Sequence, residues 1–157
     1  MIKTILFDFS RVILLPKDEN YLGGLNDLHK KLKSALGYSL IDYLYLNEPL
    51  LKKLKNFKDK FNLCIFTTGT IQNEKPLREI LDKIFLDIFT VSNIGPKTDP
   101  NSYLKIAGII NAPPEEILFI DDQLKNTKAA KEAGLQTIHF QSNDQLFKDL
   151  DLLDDGI

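Results

Sequence analysis

Residues 5–7, Ile-Leu-Phe, run apolar into Asp8, and that abrupt change of character constrains this chain more than any other stretch. An apolar run closed by a turn is the pattern of a strand buried on both faces, which belongs in a parallel sheet covered by helices. A carboxylate at the carboxyl end of such a strand stands where open α/β sheets bind ligands. Alone, Asp8 reads equally well as a turn former. The other strands decide between the two.

Four more apolar stretches read as strands: residues 62–67, 87–92, 117–120 and 136–140, after a first strand over 2–8. Helices are expected between them. Asn47 caps one, with Pro49 in its first turn and Leu50, Leu51, Leu54, Phe57 and Phe61 on its apolar face. Asn73 starts the next, with Leu77, Ile80, Leu81 and Ile84 inward. Asp99 and Pro100 open a third over Tyr103, Ile106, Ala107 and Ile110. A fourth is rich in alanine and closed by Gly134, and Asn143 or Asp144 caps a last one bearing Leu146, Phe147, Leu150 and Leu153. Residues 13–21 read as a linker around Pro16. Leu25, Leu28, Leu32 and Leu36 recur at helical spacing before Gly37, with Lys30, Lys31, Lys33 and His29 on the wet side. Residues 38–46 suit a short helix better than a strand, because no strand partner is evident nearby. The tyrosines at 38, 43 and 45 are expected to pack.

Strands alternating with helices predict a parallel sheet covered on both faces. Its crossovers bring the carboxyl ends of the strands to one edge. Asp8, Thr67 and the pair Asp121 and Asp122 each end a different strand, and Lys97 lies in a loop able to reach them. Three carboxylates and one ammonium leave a negative excess that recruits a cation or raises pKa values. Oxygen ligands with positions left for water and phosphate suit Mg²⁺. Thr67 and Lys97 can hold phosphate oxygens. Asp8 can attack phosphorus, forming an aspartyl-phosphate that water hydrolyses.

Other classes fit less well. With 157 residues, 43% of them hydrophobic, the chain supports one domain and one core. A net charge of -2 gives no reason to bind nucleic acid or an anionic membrane. No apolar run reaches membrane-spanning length, and MIKTILFDFS shows no signal-peptide cleavage pattern. Cys64, the single cysteine, excludes an intrachain disulfide and is expected to be buried in LCIF. A reduced, cytoplasmic setting is the expectation. His139 is expected to pack within its strand. No residue pattern specifies an oligomeric state.

In order, these segments resemble the motifs of the haloacid dehalogenase (HAD) superfamily, most of whose members are phosphatases. ILFDFSRV resembles the nucleophile loop, with Asp8 as nucleophile. CIFTTGT resembles the second motif, with Thr67 as the phosphate-binding hydroxyl followed by Thr68 and Gly69. GPKTDP resembles the third, with Lys97 as its lysine. LFIDDQLKN resembles the fourth, with Asp122 as metal ligand, Asp121 as its acidic neighbour and Asn126 at a polar position after them. The resemblance runs over residues 1–12 and 48–142. It implies a three-layer, doubly wound parallel sheet of HAD-like Rossmannoid type from residues 1–12 and 48–157. A reduced helical cap at residues 13–47 would interrupt it. It also implies Mg²⁺ held by Asp8, the Ser10 backbone carbonyl, Asp121 and Asp122, and a small phosphorylated substrate.

Two positions depart from the family pattern. Phosphatases of the family usually carry a second aspartate, their general acid and base, two residues after the nucleophile; here that residue is Ser10. A hydroxyl is a poor proton donor near neutral pH, and such help is worth roughly 10²–10⁴ in rate. Arg11 stands where glycine is common and is expected to point to solvent. The family thus offers a phosphatase favouring good leaving groups, such as sugar-1-phosphates or acyl phosphates. The alternatives are a pseudoenzyme that binds Mg²⁺, phosphate or a protein partner, and a dehalogenase or phosphonatase. The retained Asp121/Asp122 pair argues against a dehalogenase, which works without metal. A cap this small seals the site poorly.

Overall fold

The computed structural model describes residues 1–154 and residue 156. Five parallel strands form the main sheet: β1 (Thr4–Phe7), β4 (Asn62–Thr67), β5 (Asp87–Thr90), β6 (Ile117–Asp121) and β7 (Gln136–His139), in the order β5-β4-β1-β6-β7. The chain runs outward from β1 through β4 to β5, then crosses back to β6 and β7. The winding reverses at β1, where this class of sheet opens its ligand crevice.

Both faces of β1 are buried, as its apolar run requires. Ile5 and Phe7 join the cluster packed with α2 (Glu48–Phe57), α3 (Lys75–Leu81) and α7 (Asn143–Asp154). Leu6 joins the opposite cluster, with Tyr103, Ile106 and Ala107 of α5 (Pro100–Ile110) and Ala129 and Ala130 of α6 (Leu124–Glu132). The alanines of α6 let its backbone lie close to Phe119 and Leu6. Cys64 is buried in this second cluster.

Local signals set most boundaries. Asn47 caps α2 through its side chain, and Asp99 caps α5 by accepting from Asn101 N at 2.9 Å. Other ends differ from expectation. A 3₁₀ turn at Ile71–Asn73 precedes α3, which starts at Lys75 and leaves Ile80 outward. β5 stops at Thr90, where the short α4 (Val91–Ile94) begins. Ser142, rather than Asn143 or Asp144, accepts from the first turn of α7.

Residues 13–47 depart most from the sequence reading. The expected linker contains β2 (Leu14–Pro16), and the expected second helix is a 3₁₀ turn at Leu40–Asp42 followed by β3 (Leu44–Leu46). β2 and β3 pair antiparallel, Leu14 opposite Leu46. The insertion is therefore a two-stranded ribbon beside one helix, α1 (Leu25–Leu32), rather than a linker followed by two helices. The ribbon's strands are separated by α1, so neither has a local partner. Their alternation shows the pairing: Leu44 and Leu46 are buried while Tyr45 is exposed. α1 ends at Leu32, and the turn after it carries Leu36 into solvent. His29 is buried rather than exposed, with Tyr38 Oη 2.8 Å from Nδ1 and Glu74 Oε1 3.3 Å from Nε2. Lys33 reaches the same Glu74 oxygen at 3.0 Å, so α1 is latched to the segment before α3.

Asn47 ties both stems of the insertion to the core. Its Nδ2 donates to the buried Val12 carbonyl at 2.9 Å, and it exchanges amide hydrogen bonds with Asn143 at 2.8 Å. Asn47→Ala removes the cap, about 1 kcal/mol, and leaves the Val12 carbonyl unpaired, about 1–3 kcal/mol. The thermal midpoint should fall by roughly 4–16 °C. Calorimetry checks this, and an unchanged midpoint would contradict the assigned anchoring.

Candidate active site

Asp8, Asp121 and Asp122 come together from the ends of β1 and β6, and Lys97 reaches them from the loop before α5. The Asp8 amide donates to the Ile120 carbonyl at 2.8 Å, so the backbone pairing with β6 continues one residue past β1. The chain then turns sharply: Arg11 N donates to Leu14 O, and Leu14 N to Phe9 O, at 2.7 and 2.8 Å. That turn puts Arg11 at φ 66°, left-handed backbone that a β-carbon disfavours. Its guanidinium does not point to solvent. Nη2 donates to the Tyr21 and Gly23 carbonyls at 2.8 and 2.6 Å, binding the nucleophile turn to the loop leading into α1.

Lys97 is positioned from behind by α5. The Tyr103 hydroxyl donates to the Lys97 carbonyl at 2.6 Å, and Ser102 Oγ donates to the Pro96 carbonyl at 2.8 Å. The ammonium lies 5.5 Å from the Phe66 ring and 5.9 Å from the Phe119 ring, flanked by the apolar ends of β4 and β6. It donates to Asp8 Oδ1 and to Asp121 Oδ2, the latter at 3.3 Å. Asp8, Lys97 and Asp121 are 5%, 7% and 0% exposed, so this is a buried ion-paired cluster.

The two neighbouring aspartates divide the work. Asp121 has both oxygens engaged: Oδ1 accepts from Gln123 N at 2.7 Å, and Oδ2 accepts from Asn126 Nδ2 at 3.0 Å as well as from Lys97. Asp122 keeps Oδ1 buried and unpartnered, as is Ser10 Oγ. His139 Nε2 donates to the Asp122 carbonyl at 2.8 Å, so this histidine fixes backbone beside the site.

Ligand oxygens of Asp8, Asp121 and Asp122 lie within 4.8 Å of one another. Three carboxylates against one ammonium leave formal charge -2, which a divalent cation cancels. Burial, opposed by Lys97 and reinforced by Asp121, pushes the Asp8 carboxyl up to about 7. Burial and Asp121 also raise Asp122. The cluster therefore stores unfavourable negative charge. Buried oxygens without partners, beside carboxylates held close, match the donor set of Mg²⁺.

Asp8, Ser10, Lys97 and Asp122 line one cleft of about 260 Å³, together with Thr68 and Asn126. Thr67 is buried at the end of β4 and lies outside that lining. Gly69 lines an adjoining cleft; a β-carbon there would collide with the side chain of Asn26, which borders both spaces. The remaining wall comes from the start of α1, Gly24 to Asp27, with Arg11 and Gln123. The sequence reading missed this wall. Its signal was the Gly-Gly pair before the leucine rhythm, which marks a helix start. A larger groove of about 700 Å³ runs along β7 between α6 and α7. It holds no convergent carboxylates; Asp8 and Asp122 line the smaller cleft.

Comparisons with known proteins bear on the family and the fold. A model of the family described as haloacid dehalogenase-like hydrolase matches residues 27–134. The chain is 39% identical over 94 residues to an enolase-phosphatase E1 of Caenorhabditis elegans, covering 57% of this chain and 37% of that one. It is 35% identical over 99 residues to an enolase-phosphatase E1 of Aquifex aeolicus, covering 59% of this chain and 44% of that one. The chain thus spans about two fifths of the length of these relatives. Its fold is similar to that of a HAD family enzyme of Bacteroides thetaiotaomicron in complex with magnesium and inorganic phosphate. The TM-score is 0.68 at 17% identity, over 94% of this chain and 100% of that one. A predicted HAD-like family hydrolase of Porphyromonas gingivalis is similar with a TM-score of 0.69 at 17% identity, over 98% of each chain. No helix among the described residues is long and apolar enough to cross a membrane.

Proposed function

Because the chain belongs to the haloacid dehalogenase-like hydrolase family, we propose that it is a Mg²⁺-dependent phosphatase. It would act on a small phosphorylated metabolite through a phosphoryl group carried on Asp8. One observation carries the reading. Lys97 bridges Asp8 and Asp121 in a cleft where Asp122 Oδ1 and Ser10 Oγ are buried without partners. The similarity to enolase-phosphatases, and to a fold seen with magnesium and phosphate, supports it.

Asp8, Asp122 and the Ser10 backbone carbonyl are the direct ligands in this reading, with Asp121 behind them because its oxygens are already bonded. When bound, Mg²⁺ supplies positive charge that keeps Asp8 ionised and offsets the phosphoryl oxygens. Asp8 Oδ1 is held by the Phe9 amide at 2.7 Å and by Lys97, which leaves Oδ2 for attack. Thr68 and Lys97, which line the cleft, hold the phosphoryl oxygens. Water then attacks phosphorus and restores Asp8. With Ser10 as the only side-chain hydroxyl of the nucleophile turn, that turn alone cleaves phosphates with good leaving groups, such as sugar-1-phosphates and acyl phosphates.

The test measures p-nitrophenyl phosphate hydrolysis and the thermal midpoint, each with and without Mg²⁺. Hydrolysis should require Mg²⁺. At about 100 times its dissociation constant the ion should add about 2.7 kcal/mol, or roughly 5–10 °C. A shift without turnover would favour a pseudoenzyme that holds the ion. Neither shift nor turnover would remove the assignment.

A further inference from the structure

We propose that Asp27, on the insertion, is a catalytic residue of this cleft, giving a proton to the leaving group and then taking one from water. The proposal rests on the phosphatase reading above and names a residue outside the four family-like segments. Ser10 stands two residues beyond Asp8 and supplies no transferable proton near neutral pH. The ionisable side chains lining the cleft are Asp8, Arg11, Asp27, Lys97 and Asp122. Lys97 is ion-paired to Asp8, and Asp122 lies in the carboxylate cluster. Arg11 stays charged at all working pH values and is spent on the Tyr21 and Gly23 carbonyls. Asp27 alone remains uncommitted.

Its placement suits the task. Asp27 lies in the first turn of α1, and Gly24, the residue before that helix, has no side chain. A β-carbon at Gly24 would come within 2.9 Å of Asp27 Oδ2, so the carboxylate lies over the Gly24 backbone, which itself lines the cleft. Attack by Asp8 is in line, so the leaving oxygen departs on the side of phosphorus away from the nucleophile. The insertion lines the same cleft from Gly24 to Asp27. A cleft of about 260 Å³ falls just below the range of drug-sized ligand sites, which starts at about 300 Å³, so it suits one small monoester in reach of both walls. The Arg11 clamp fixes the loop that carries α1 to the nucleophile turn.

The steps balance. A lone pair of Asp8 forms the O–P bond as the bond from phosphorus to the leaving oxygen breaks, and that oxygen takes the Asp27 proton. Water next attacks the phosphoryl group, giving a proton to the Asp27 carboxylate, while the Asp8–phosphorus bond breaks. Inorganic phosphate leaves, and Asp27 is again protonated. An acid here extends the substrates from good leaving groups to alkyl phosphates.

The test compares the full chain, loaded with Mg²⁺, with Asp27→Asn and with Asp27→Asn combined with Ser10→Asp. The probes are glycerol 2-phosphate and p-nitrophenyl phosphate. Asp27→Asn should lower kcat on the alkyl ester by roughly 10²–10⁴. The initial p-nitrophenolate burst should be unchanged, because that leaving group needs no proton. Adding Ser10→Asp should restore alkyl hydrolysis. Asp27→Ser, which also lacks a transferable proton, should reproduce the ratio if the asparagine variant folds poorly. A p-nitrophenolate burst slowed as much as alkyl hydrolysis, as from a weakened helix start, would overturn the proposal, and so would unchanged alkyl hydrolysis. A wild-type chain inert toward p-nitrophenyl phosphate would remove the phosphatase reading first and this role with it. Wild-type turnover with an indifferent Asp27→Asn would remove this role alone.

Discussion

Asp8→Asn should abolish turnover, with a loss on the order of 10⁴–10⁶ in kcat. The amide is nearly isosteric with the carboxylate and still accepts from the Phe9 amide, so the turn keeps its shape. It has no anionic oxygen to attack phosphorus and is a poor ligand for Mg²⁺. Stability should not fall in parallel. Burial pushes Asp8 up to about 7, so a neutral group is tolerated at that position, and Lys97 keeps Asp121 as partner. Kinetics with p-nitrophenyl phosphate and a thermal melt without Mg²⁺ read the two effects separately. An inactive variant that melts at or above the wild-type temperature is the expected result. Retained turnover would mean that another group is the nucleophile.

Lys97→Met should damage both properties. Methionine fills similar volume and keeps contact with the Phe66 and Phe119 rings. What is lost is the one positive charge among three carboxylates. Removing one partner of a buried pair costs about 3–5 kcal/mol, or roughly 6–20 °C in midpoint. Mg²⁺ should return part of that stability, because it cancels the same excess. Turnover should fall about 10²–10³-fold even at saturating Mg²⁺, the usual cost of losing one preorganised donor to a developing oxyanion. A variant that melts and turns over like wild type would show that Lys97 serves only its own loop.

Wherever periodicity is local, the fold was legible in the sequence. β4 occupies the expected residues, and α2 and α5 start at the asparagine and aspartate read as their caps. The insertion was not legible, because β2 finds its partner only after α1 has passed between them. Buried His29 depends on Tyr38 and Glu74, and no helical rhythm reports those contacts. The site divides the same way. Asp8, Asp121 and Asp122 stand at strand ends that apolar runs announce, and Lys97 lies in the loop between α4 and α5. The Arg11 clamp and the wall from Gly24 to Asp27 exist only once the insertion docks. The resemblance already separates Asp122, the metal ligand, from its neighbour Asp121; the structure adds that hydrogen bonds engage both oxygens of Asp121 and leave one of Asp122 without a partner.

The central claim is that Asp8 carries the phosphoryl group in a Mg²⁺-centred cleft. Acid quenching of the Mg²⁺-loaded chain during turnover of p-nitrophenyl phosphate, followed by peptide mass spectrometry, tests it directly. The expected result is one phosphoryl group on the peptide containing Asp8, absent when the ion is chelated. Steady turnover with that peptide unmodified, or with the phosphoryl group on another residue, would contradict it.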